Sequence, residues 1–334
     1  MAKIKDVAQK AGVGVATVSR MLNESGYVSD TAKEKIRQAM VELNYTPNEL
    51  ARNLYHKKTG IIAIVVPTIS HPFYAEYIYY AEMELHRRGF KTMICSAAAE
   101  GNEEQEYLDM LNRHIVDGVI SGTHTLDVLE YQKIQKPIVS LDRYLGENIP
   151  VVAVDHSKGG QLAANKLLES GCRKVLHFRG ETSVEAPYHD RHTEFSRIMR
   201  QNGAQVVDYE LGWNCFDVDY YQKVVDDVFA SGWDYDGVFG VDQLANICMN
   251  ELLKRGIRIP EEVKLVGYDG TYISKLSRIK MTTITQPIHD LARESVRLIL
   301  ARMSGVEMQN EQVLLDVSIA EGETTLSSKH TKSE

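Results

Sequence analysis

The chain has 334 residues, 43% hydrophobic and 25% charged, with a formal net charge of −8. That length exceeds what one compact core holds and suits two or three units. No apolar run reaches the roughly 18 residues of a membrane span, and the opening MAKIKDVAQKAGVG lacks the apolar core of a signal peptide, so a cytoplasmic protein is expected.

Cys95, Cys172, Cys215 and Cys248 stand far apart without CxxC spacing, which points to neither a disulfide framework nor a zinc site. Acidic proteins repel nucleic acid, but the charge here is uneven. Residues 1–58 hold ten Lys/Arg against six Asp/Glu, a net +4, which leaves −12 on the remainder. A basic first segment on an acidic chain suits a protein in which that segment alone meets phosphates.

In IKDVAQKA, Ile4, Val7, Ala8 and Ala11 fall on one helical face, and Gly12 then supplies the left-handed turn between two short helices. Gly14 to Asn23 predicts a second helix with Val18, Met21 and Leu22 inward. A third runs from about Ser29, its cap, to Leu43, with Ala32, Ile36, Ala39, Met40 and Leu43 inward. Two short helices about a glycine turn, followed by a third, describe a helix-turn-helix unit. Pro47 to Tyr55 predicts a further short helix, too short to stand alone.

IKDVAQKAGVGVATVSRMLN, followed by VSDTAKEKIRQAMVELNYTPNELARNL, resembles the LacI/GalR family of bacterial transcription regulators. The resemblance implies that Val15, Ala16 and Arg20 face base edges in the major groove, where small apolar groups meet a thymine methyl and arginine reaches guanine. Thr17, Ser19 and Asn23 are implied phosphate contacts, which set register. Lys5, Tyr45, Asn48 and Ala51 complete the DNA-facing set. The segment 47–55 matches the family's hinge helix, which folds on operator DNA, and Leu54 matches the leucine that wedges the minor groove. A homodimer over a pseudo-palindromic operator, associated with the nucleoid, is the implied assembly.

From Gly60 the texture changes. Apolar runs, each followed by a helical stretch, appear at 61–67, 91–97, 117–122, 137–142 and 151–155, and again at 174–180, 237–241, 264–269 and 282–286. Buried strands alternating with helices indicate α/β lobes built on doubly wound parallel sheets, and two series indicate two lobes. The resemblance continues through VAVDHSKGG, LVGYDG and TTITQP and implies a periplasmic-binding-protein-like body. The resulting division is 1–46 for the DNA-binding unit, 47–59 for hinge and linker, 60–157 with 288–316 for one lobe and 158–287 with 317–325 for the other. The end, ETTLSSKHTKSE from 323, carries no leucine heptads and is expected to be disordered, with 326–334 as its tail.

Ligands of open α/β sheets bind beyond the carboxyl ends of the strands, and those ends carry His71-Pro72-Phe73, Asp142-Arg143, Asp155, Gly180-Glu181, Asp242-Gln243, Asp269-Gly270 and Gln286-Pro287. Carboxylates, amides and flat rings are what a carbohydrate cleft needs. Matched to the family, Phe73, Asp142, Arg191, Trp213, Asp242, Asp269 and Gln286 are the implied effector contacts. Asp242 suits a structural role equally, and Asp155 suits a helix cap better than a ligand. Arg191 and Asp269 also suit a mutual pair across the lobes. His189 and His192 have ligand-like spacing without a third partner. Gly270 stands where the family often has an acid. These residues favour a neutral, polyhydroxylated effector, and the Asp142-Arg143 step with SHPFYAE resembles the sucrose-operon-repressor branch.

No GxGxxG lies between a strand and a helix, and no GxSxG, HExxH or Walker motif occurs, so no catalysis, cofactor or metal is expected. Two rivals to a sugar-controlled repressor stay open. One is a carbon-catabolite-type global regulator governed by a phosphoprotein, and the other a sugar-binding transport protein.

Overall fold

The computed structural model describes residues 2–47, 58–97, 103–123, 128–134, 136–182, 186–308 and 311–326. It divides into two compact units, Met1–Gly60 and Ile61–Glu334. The predicted hinge residues Asn48, Ala51 and Leu54, and the tail beyond 326, lie outside the described residues.

The first unit holds α1 (Ile4–Ala11), α2 (Val15–Asn23) and α3 (Asp30–Glu42). Gly12, at φ +66°, closes α1 in the left-handed conformation that a side chain would oppose. Ser29 caps α3 by accepting from Ala32 N–H at 3.4 Å. Val7, Ala8, Ala11, Val18, Ile36 and Ala39 form its buried core, with Ile4, Met21, Leu22, Met40 and Leu43 against it. The helical periodicity read from the sequence is therefore what closes this small core.

In the second unit the strands and helices are β1 (Ile61–Val66), α4 (Pro72–Arg87), β2 (Lys91–Ser96), α5 (Glu103–Asn112), β3 (Gly118–Ser121), α6 (Val128–Gln132), β4 (Ile138–Leu141) and β5 (Val151–Val154). Then come α7 (His156–Glu169), β6 (Lys174–Arg179), α8 (His189–Gln201), β7 (Gln205–Glu210), α9 (Val218–Ala230) and β8 (Gly237–Phe239). The chain ends with α10 (Asp242–Lys254), β9 (Lys264–Asp269), α11 (Tyr272–Leu276), β10 (Thr282–Thr285), α12 (Ile288–Met303), β11 (Gln312–Leu315) and β12 (Ser318–Ala320).

Two six-stranded sheets result, in the orders β11-β5-β4-β3-β1-β2 and β12-β10-β9-β8-β6-β7. Every pairing is parallel except β10 with β12. The chain passes between the sheets three times, after β5, after β10 and after β11, so each lobe is assembled from separated segments. Tyr77 and Ala81 on α4 are fully buried core. The disorder expected from residue 323 begins too early. Thr324 and Thr325 are buried, and Thr324 donates to Leu265 O at 2.7 Å and accepts from Thr282 N–H at 2.9 Å.

Candidate functional site

On α2 the side chains divide by periodicity. Val18 points into the core, whereas Ala16 and Arg20 are exposed and Val15 keeps 40% of its surface. Thr17, Ser19 and Asn23 are half-buried at the margin, where Asn23 Nδ2 donates to Ser19 Oγ at 3.2 Å. Lys5 is exposed on α1, while Tyr45 packs partly against the core. The exposed stripe is thus two small apolar groups beside one guanidinium.

The second unit opens a cleft between its sheets, with about 810 Å³ of free space including the mouth. Phe73, Asp142, Arg191, Trp213, Asp269 and Gln286 all border it. Asp242 does not. Its carboxylate, 1% exposed, accepts from Thr271 N–H at 2.7 Å, Thr271 Oγ1 at 2.9 Å and Thr283 Oγ1 at 2.5 Å, so it clamps the turn after β9 to β10. Burial and the neighbouring Asp269 push its carboxyl upward. Asp155 caps α7 by accepting from Lys158 N–H at 2.8 Å.

Two of the cleft carboxylates sit on strained backbone, Asp142 at φ +55° and Asp269 at φ +110°. Such outliers cost about 1–3 kcal/mol and persist where the surroundings over-determine them. Asp142 accepts from or shares a proton with His156 Nε2 at 2.9 Å, and His156 Nδ1 meets Tyr268 Oη at 2.8 Å. Burial opposes ionisation of Asp142, but His156, Arg143 and Arg191 outweigh it and hold the carboxyl below its usual range. Asp269 accepts from Gln286 Nε2 at 2.8 Å; burial raises its carboxyl despite Arg191 and Gln286.

Arg191 and Asp269 belong to the same lobe, on α8 and β9, so they do not pair across the cleft as the sequence allowed. The Arg191 guanidinium lies 4.3 Å from the Tyr268 ring centroid and 5.5 Å from that of Tyr188. Gly270, at φ +71°, has Thr285 Cα 2.7 Å from where a Cβ would stand, so no acidic side chain fits there.

The cleft also gathers residues that the sequence reading did not select. Arg143, 5% exposed, lies over Tyr188 at 5.1 Å and Trp213 at 5.8 Å. Tyr74, Tyr188, His192 and Phe216 complete an aromatic wall. His71 and Arg143 were within reach, since both follow strand ends; Tyr188 and His192 lie in a loop and on a helix, where that rule does not look.

His71 is 4% exposed, and among the described residues neither ring nitrogen has a hydrogen-bond partner. Burial and then Arg191 push its imidazole down to about 4. The unfolded chain takes up that proton near the ordinary 6.5, so the contribution to stability is fully present above pH 6.5 and is lost as pH falls to about 4. A His71→Phe protein should therefore lose less stability between pH 7 and pH 5 than the parent. Urea midpoints at the two pH values test this, and equal losses would count against it.

A helix-turn-helix unit joined in one chain to a two-lobed body, with a cleft of charged, amide and aromatic side chains between the lobes, defines a ligand-responsive transcription regulator. Residues 3–48 match the bacterial regulatory proteins of the lacI family, and residues 164–325 match the periplasmic binding protein-like domain. The chain is 37% identical to the ribose operon repressor of Halalkalibacterium halodurans, over 97% of both proteins. It is 35% identical to the sucrose operon repressor of Streptococcus mutans, over 97% of this chain and 99% of that one. A solved LacI transcriptional regulator from Alkaliphilus metalliredigens, complexed with D-xylulofuranose, is 30% identical with a TM-score of 0.72, over 80% of this chain and all of that one. The chain belongs to the lacI family of bacterial regulatory proteins. No helix among the described residues is long and apolar enough to cross a membrane, and no group of three or more His, Cys, Asp or Glu among them suits a metal ion.

Proposed function

We propose that this protein is a cytoplasmic, homodimeric repressor of carbohydrate-use genes, whose affinity for a pseudo-palindromic operator is set by a small sugar in the cleft. The observation that carries this reading is the composition of the cleft. Aromatic walls flank three carboxylates, two guanidiniums and two amides, a set suited to holding hydroxyl groups and the flat face of a sugar ring. Asp142, Arg191, Asp269 and Gln286 bind hydroxyls, while Phe73 and Trp213 cover the ring. The names of two relatives matched over 97% of this chain, the ribose and sucrose operon repressors, favour this reading over control by a phosphoprotein.

On DNA, Val15, Ala16 and Arg20 read bases, Lys5, Thr17, Ser19, Asn23, Tyr45 and Asn48 hold the backbone, Ala51 leaves room for close helix approach and Leu54 wedges the minor groove. Effector binding changes the angle between lobes, and this alters how two hinge segments meet. By linkage, operator and effector change each other's affinity by the same factor.

A thermal-shift screen of mono- and disaccharides, paired with operator-binding assays, tests the sugar reading. At least one sugar should raise the melting temperature and alter operator affinity; if none does either, the reading fails. For the DNA half, Arg20→Ala should cost about 1–3 kcal/mol at the matched base pair and relax preference there. Binding curves on single-base operator variants check it, and an unchanged preference would remove Arg20 from base reading.

A further inference from the structure

A polar chain joins β7, β6 and α8, and sugar binding as described does not use it. Asp208 on β7 lies 2.8 Å through Oδ1 from His177 Nδ1 on β6. His177 Nε2 lies 2.8 Å from His192 Nδ1 on α8, and Gly180 N–H approaches His192 Nε2 at 3.4 Å. Both imidazoles are enclosed, while Asp208 sits near the lobe surface with Arg200 Nη2 at 3.0 Å and Arg179 Nη1 at 3.9 Å.

Hydrogen-bond logic assigns the protons along this chain. Burial works against the Asp208 anion, but His177, Arg179 and Arg200 hold it below the usual carboxylate range, so it only accepts. Burial also holds both imidazoles below their ordinary range, so each carries one proton. His177 then has its proton on Nδ1 and a lone pair on Nε2. His192 must donate from Nδ1, which leaves its Nε2 bare.

We propose that Asp208 and His177 are positioning residues that hold His192 Nε2 as an acceptor for an effector hydroxyl, so that this wall of the cleft admits an uncharged sugar face and rejects a carboxylate or phosphate. The proposal rests on the sugar-effector reading above. Two observations point the lone pair toward the ligand. His192 and Gly180 both border the cleft, and the Gly180 N–H contact of 3.4 Å is long against the usual 2.9–3.0 Å. An incoming hydroxyl therefore has only one long N–H contact to displace or share at that lone pair. An anionic oxygen meets a lone pair on a ring that burial keeps uncharged.

The test uses the full chain, 15N-labelled at histidine, with His177→Phe and Asp208→Ala. Phe195 and Phe239, with centroids 4.8 and 5.4 Å from the His177 ring, can receive a phenyl group, so packing is retained. Two-bond proton–nitrogen spectra of the ligand-free parent should show His192 protonated at Nδ1 and bare at Nε2. His177→Phe removes the acceptor of that proton, so His192 should no longer be held wholly in the Nδ1–H form. Titrations with D-ribose, sucrose and D-fructose should show the sugar that the parent binds held about tenfold more weakly by both variants, with melting temperatures near the parent's. A parent His192 protonated at Nε2 overturns the relay, as does parent-like sugar affinity in both variants. If no sugar binds the parent, the sugar reading falls and takes the hydroxyl acceptor with it, while the ligand-free spectra still decide the proton assignment.

Discussion

An Arg191→Ala protein should bind its sugar about ten- to a hundredfold more weakly while keeping the parent's operator affinity. Hydrogen bonds to a charged group contribute about 1.5–3 kcal/mol, and each 1.4 kcal/mol is about tenfold in affinity. Two effects add. The fork that would clasp vicinal hydroxyls is removed, and Asp269 loses the positive charge that supports its anion against burial. Arg191→Lys restores the charge without the planar fork, so it should recover part of the loss. Calorimetric titration with the responsive sugar, beside an operator-binding curve without sugar, separates the two sites. Undiminished sugar affinity in Arg191→Ala would place the effector elsewhere in the cleft.

Gly160→Ala should damage the body most severely for its size. A Cβ at this position would stand 2.2 Å from the Arg191 carbonyl oxygen, and that oxygen is backbone, so no rotamer change relieves it. Overpacking of this kind costs about 1–3 kcal/mol and occasionally more. For a unit of this size the melting temperature should fall by roughly 2–5 °C. Because the clash displaces the residue that holds the effector-facing guanidinium, sugar affinity should fall with stability. A thermal melt with a sugar titration measures both, and an unaltered melt would mean that α7 and α8 can separate at little cost.

The sequence reveals elements that are amphipathic or wholly buried. The periodicity of α1 to α3 and the apolar runs of β1 to β6, β8, β9 and β10 follow directly from it. The strands that escape notice are β7, β11 and β12, each with alternating or partial exposure at a sheet edge. QVVDYE and SIA lack the continuous apolar run that marks a strand covered on both faces. The cleft shows the same division. Strand ends point to Asp142, Asp269 and Gln286, but also to Asp242, because a carboxylate that clamps a turn and one that meets a ligand look alike in sequence. His156 escapes for another reason. Its partner Tyr268 is 112 residues away, and no local pattern links the two.

The threefold passage of the chain between sheets bears on how the protein is made. The first sheet lacks its β11 edge, and its α12 cover against β3, β4 and β5, until residues 288–315 have been synthesised. The second lacks β12 and the Thr324 tie to β9 until the chain is almost complete. On the ribosome, the helix-turn-helix unit can therefore mature early from its own core, whereas both lobes wait for the last few dozen residues. A nascent chain would hold a finished reading unit long before it holds a finished sensor.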